Sequence, residues 1–125
     1  MGVIMSDLLS YGNLRGSMMY QRYFDKLKLY LKFSQYDIDC LVKGTHSAFD
    51  LLKQQGYKFR SMIRTLEIVL VEDKNVFNEE VRAVNGRILE VIQFDLDRFI
   101  NNERVRLLDI CRDLGIKDLK ENRQI

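Results

Sequence analysis

The chain has 125 residues, 46% of them hydrophobic and 30% charged, with a net charge of +2 at neutral pH. Such a balance belongs to one globular domain with a real core and excludes a disordered or low-complexity chain. No apolar run approaches the ~18 residues of a membrane span, and Met1 to Ser6 is too short and lacks the basic flank of a signal peptide.

There is no proline. Proline breaks helices and punctuates loops, so its absence fits helices joined by short turns. In chain order, Ser6 can cap a short helix through Leu9, and Tyr11-Gly12-Asn13 reads as a turn. Arg15 to Phe33 follows, with Tyr20, Tyr23, Phe24, Leu27 and Leu31 on one helical face. Lys26 to Phe33 alternates with the period of a strand. The helical turns before it, and the helix preference of Leu and Lys, decide for helix.

Ser34 is a natural cap for the next helix, with Asp37 three residues on. Lys43-Gly44-Thr45 interrupts it. Thr45 is expected to cap a continuation through Leu52, and Gln54-Gln55-Gly56 to stop it. Lys58 to Val71 is amphipathic, with Phe59, Met62, Ile63, Leu66, Val69 and Leu70 on one face, although Leu66 to Val71 alone could pass for a buried strand. Glu72 to Asn75 is a polar turn.

Asn75 to Leu114 is the dominant run. Phe77, Val81, Val84, Ile88, Ile92, Leu96 and Phe99 recur at helical steps. Glu79/Arg82, Arg87/Glu90, Asp95/Arg98, Glu103/Arg106 and Asp109/Arg112 place opposite charges three apart, a helix-surface spacing. Forty residues of helix would be roughly 60 Å long. A compact domain of this size is roughly 35 Å across. A break is therefore expected at Asn101-Asn102; an unbroken rod would need a partner to cover it. Gly115 reads as a helix stop. Residues 1–14 and 117–125 are expected to be less ordered. The expected fold is all-α: a single domain of four or five antiparallel helices.

The polar residues assemble no chemistry. His46 is the only histidine, so no paired-histidine metal site can form, and no spacing announces zinc. Asp37/Asp39 and Asp95/Asp97 are two apart and diverge on a helix, while Glu79/Glu80 suits an acidic first turn. The glycines are scattered, with no phosphate loop. Leu108 to Ile116 resembles the start of a helix-turn-helix, but its aspartates would repel phosphate. Cys40 and Cys111 are too few for a disulfide framework and read as buried free thiols of a reducing, cytoplasmic compartment. No catalytic residue, metal, cofactor or small-molecule substrate is expected.

Two surfaces remain. Leu29, Phe33, Ile68, Val71, Val91 and Phe94 lie off the main apolar stripes, and a helix apolar on two sides is either central or covered by a partner. They are the expected interface of a homo-oligomer or a protein partner. The charge is also uneven, +5 over residues 1–65 and −3 over 66–125. In the basic half, Arg15, Arg22, Lys26, Lys32, Lys58, Arg60 and Arg64 with interleaved tyrosines form an alternative nucleic-acid face. The expectation is a non-catalytic interaction module acting as adaptor, chaperone or inhibitor.

Overall fold

In the computed structural model, residues 18–75 and 78–116 are described, with side chains from residue 22 onward. These residues form an all-α structure with no strand among them. Helix α1 spans Met18–Leu31, α2 Gln35–Lys43, α3 Ala48–Glu67 with a wider π turn at Ile68–Glu72, and α4 Glu79–Asp113. The expected features at Ser6 to Asn13, Phe77, and Lys117 to Ile125 lie outside the described residues.

The alternation in Lys26 to Phe33 yields to helix as far as Leu31, with Tyr23, Phe24, Leu27 and Leu31 buried. Ser34 caps α2 as expected. Its hydroxyl accepts from the Asp37 N–H while Asp37 accepts from the Ser34 N–H, a reciprocal capping box. Gly44 ends α2 in the left-handed conformation, φ 79°.

Two boundaries differ from expectation. The cap of α3 is Ser47, paired reciprocally with Asp50, whereas the Thr45 hydroxyl donates back to the Cys40 carbonyl and closes α2. Gly56 does not stop the helix, because α3 runs through it. Its neighbour Gln55 is buried and holds another helix, and that tertiary contact outweighs the weak helix preference of one glycine.

The largest correction concerns α4, which is unbroken over 35 residues, roughly 52 Å. Its buried face is Asn85, Leu89, Ile92, Leu96, Ile100, Glu103, Leu107 and Cys111. That stripe keeps helical register through Asn101-Asn102, but one position is an acid, so a hydropathy reading loses it there. The stripe drawn through Val81 and Val84 is displaced: both are exposed, while Ile88 and Phe99 are half-buried. At the end, Gly115 is left-handed, φ 75°, as expected of a stop.

The long helix is covered by two clusters rather than one. Near its first half, Tyr23, Phe24, Leu27 and Leu31 of α1 meet Met62, Leu66 and Leu70 of α3 and the π turn, on Leu89, Ile92, Leu96 and Ile100. Near its end, Phe33, Leu41, Ala48 and Leu51 close on Leu107 and Cys111. Fully burying each Leu or Ile contributes about 1.5–3 kcal/mol relative to exposure, so α4 is held along its middle and near its C-terminal end. Lys28 meets Asp95 at 3.1 Å and Phe33 meets Glu103, so α1 runs with α4. Leu70 meets Asn85 while Leu51 shares a cluster with Leu107, so α3 runs against it.

Candidate interaction surfaces

Among the described residues, the three buried polar side chains all serve backbone groups. Gln55 Nε2 donates to the Leu31 carbonyl at 2.7 Å, at the end of α1. Asn85 Nδ2 donates to the Leu70 carbonyl at 2.9 Å, inside the π turn. Glu103 Oε1 accepts from the Phe33 N–H at 3.0 Å, and Arg106, doubly bonded to Glu103, donates to the Phe33 carbonyl at 2.6 Å. These groups satisfy backbone left over where helices end or widen.

Other polar groups singled out from the sequence are also in structural use. Asp37 is in the α2 cap, and Asp39 accepts from Gln35. Glu79 and Glu80 open α4 behind the Asn78 cap. Asp95 meets Lys28 rather than Arg98, whose guanidinium lies over the Phe94 ring at 5.9 Å. Glu103/Arg106 and Asp109/Arg112 pair as their spacing suggests. Helix α4 ends at Asp113 and turns at a left-handed Gly115, and the residues that a second helix of a helix-turn-helix would need, 117–125, lie outside the described residues. Both cysteines are free and buried, and burial pushes the Cys111 thiol above its ordinary range. Among the described residues no group of three or more metal-ligating side chains comes together, and no helix is long and apolar enough to cross a membrane.

Of the six residues expected at a partner interface, two are not free. Phe33 is 5% exposed and belongs to the second cluster, because α1 ends two residues before it and the helical wheel no longer applies. Val71 is half-buried against the first cluster, since the wider π turn rotates it inward. Leu29 is 69% exposed on α1 and Ile68 is exposed at the end of α3. Val91 and Phe94 are 55% and 66% exposed and lie on one face of α4.

That face holds more than the sequence reading found. Val105 and Leu108 are 56% and 39% exposed and fall fourteen residues beyond Val91 and Phe94, two heptads on along the same helix. The assumed break at Asn101-Asn102 hid them. The spacing was the available signal: Val84, Val91, Arg98 and Val105 are seven apart, as are Arg87, Phe94, Asn101 and Leu108. The outer side of α4 therefore carries a partly apolar heptad stripe facing away from its own core.

On the basic side, Arg15 lies outside the described residues. Arg22, Lys26, Lys32, Lys58, Arg60 and Arg64 are all exposed. Lys58 Nζ sits 5.4 Å from the Tyr30 ring centre, and the Arg60 guanidinium 4.8 Å from that of Tyr57. Arg64 is committed elsewhere. It binds Glu67 and, at 2.7 Å, Glu72, and the Glu72 hydrogen bonds raise its pKa above the ordinary arginine value. Comparison with protein-family models, with curated proteins and with solved structures finds no match for this chain.

Proposed function

We propose that the protein is a non-catalytic helical interaction module that associates, with itself or with another protein, through the outer face of α4. It is read as a four-helix unit in which short α2 closes one end of three longer helices. The carrying observation is the row Val91, Phe94, Val105 and Leu108, all exposed on a helix whose opposite side is already fully used. A helix apolar on both sides is most stable with both sides covered. Light scattering coupled to size exclusion tests the reading. Association of the wild type that is lost in Phe94→Asp, at unchanged helix content, supports it. A wild type that stays monomeric and binds no more apolar reporter dye than Phe94→Asp would sink it.

A second reading is nucleic-acid binding by the α1–α3 face, favoured by the stacking of Lys58 on Tyr30 and Arg60 on Tyr57. It predicts polyanion affinity that falls steeply with salt and is lost on charge reversal at Lys26, Lys58 and Arg60. No shift on mixing at low salt would end it.

A further inference from the structure

Resting on the reading just given, we infer that the occupant of the α4 outer face is a second copy of this chain, running antiparallel about a two-fold axis between residues 99 and 100. The inference comes from pairing the stripe with itself. In an antiparallel pair the two rows of one heptad face the opposite rows of the other. With the axis at 99/100, Val91 faces Leu108 of the second copy, Phe94 faces Val105, and Arg98 faces Asn101. By symmetry each contact occurs twice, as an isologous interface requires.

The apolar residues then meet apolar residues throughout. The two polar positions meet each other at the centre, where Asn101 can accept from Arg98 of the second copy. A polar pair at such a position costs stability but specifies register.

Charge selects the same arrangement. On one flank of the stripe, Asp97 comes opposite Arg104 of the second copy, twice per dimer. Neither residue has an ion-pair partner among the described residues of its own chain. The next contact outward, Arg87 opposite Arg112, is softened because Asp109 already holds Arg112 at 2.6 Å, and it marks the edge of the interface.

The alternatives fare worse. A parallel in-register pair would set Arg98 against Arg98 and Arg87 against Arg87, and Glu90 beside Asp95. An antiparallel pair shifted one heptad toward the N-terminus would set Val91 against Asn101, Phe94 against Arg98 and Asp97 against Asp97. Like charges facing across an interface cost more than the apolar contacts retained would return.

The contact covers residues 91–108, about 26 Å of helix at ~1.5 Å per residue. It falls at the small end of specific interfaces, so the dimer is expected to dissociate at roughly micromolar concentration.

The test is a charge exchange on the full chain, read by sedimentation across a concentration series. Asp97→Arg alone sets Arg against Arg twice, and Arg104→Asp alone sets Asp against Asp twice. Each is expected to raise the dimer Kd at least about tenfold. Mixing the two variants restores both contacts in a heterodimer, and Asp97→Arg/Arg104→Asp restores them within one chain. Both are expected within about threefold of wild type. Recovery in the double variant also separates a lost contact from a folding defect. If the wild type dimerises and Phe94→Asp abolishes dimerisation, but the exchange shows no loss and rescue, the register is overturned and the use of this face survives. If the wild type does not self-associate, the second copy is overturned, and the dye comparison above decides whether the face is used at all.

Discussion

Glu103 holds the backbone of a residue seventy positions away, and it does so from inside the protein. Removing it strands the Phe33 N–H in an apolar surround, which costs about 1–3 kcal/mol. Arg106 is partly open to water, with 38% of its side chain exposed, so it can rehydrate and adds little to that cost. Glu103→Ala should therefore lower unfolding stability by about 2 kcal/mol. Glu103→Gln, which can still accept from Phe33, should cost about half as much; urea titration of both variants checks the order. The α3 cap gives a second case. The hydrogen bond from the Ser47 N–H holds the Asp50 carboxyl below its ordinary pKa of 3.8. A lowered carboxylate contributes stability that is present above the unfolded value and is lost as pH falls through the folded one. Asp50→Asn should flatten the acid limb of the stability profile below about pH 4 and leave its shape at neutral pH unchanged. Ser47→Ala should cost about 1 kcal/mol.

At the scale of elements, caps were legible where a side chain announces them, as at Ser34, Gly44 and Gly115. What was not legible followed from tertiary contacts. Gly56 is a stop signal in isolation, yet Gln55 beside it bonds Leu31, and that contact lies twenty-four residues away in the chain. The continuity of α4 was hidden because Glu103 occupies a core position. Only knowing that Phe33 supplies its partner turns an apparent loss of register into a continuous stripe. Half of the candidate interface was readable as surplus apolar side chains, Val91 and Phe94. The other half, Val105 and Leu108, depended on α4 being one piece. Gly56 offers a direct check. A methyl group there would meet only the end of Arg60, at 3.8 Å, and the position is mid-helix. Gly56→Ala should thus stabilise the protein by about 0.5–1 kcal/mol. Were the helix to end at Gly56 in the left-handed conformation, the same substitution would destabilise it. Thermal melting distinguishes the two by sign.

At the scale of the molecule, the two apolar clusters lie in series along α4 and share no side chain. The links between them are α4, α3 with Leu51 in one cluster and Met62 and Leu66 in the other, the Gln55–Leu31 bond and the Phe33–Glu103–Arg106 clamp. Among the described residues the cluster around Leu107 is the smaller, with six buried members against eleven. Its cohesion therefore leans more heavily on the larger one. Leu107 is fully enclosed, and Leu107→Ala should cost about 2–5 kcal/mol through lost burial and the cavity left behind. In the intact protein the clamp should make that loss global, so amides of α1 and α3 lose protection along with those near residue 107. In the Glu103→Ala background the clamp is gone and the smaller cluster can open by itself. Amides of α2 and of residues 104–113 should then exchange well ahead of Leu27, Leu66 and Ile92. Hydrogen exchange followed by mass spectrometry resolves these segments. Uniform exchange in Glu103→Ala would show that the continuity of α3 and α4, not the clamp, couples the two clusters.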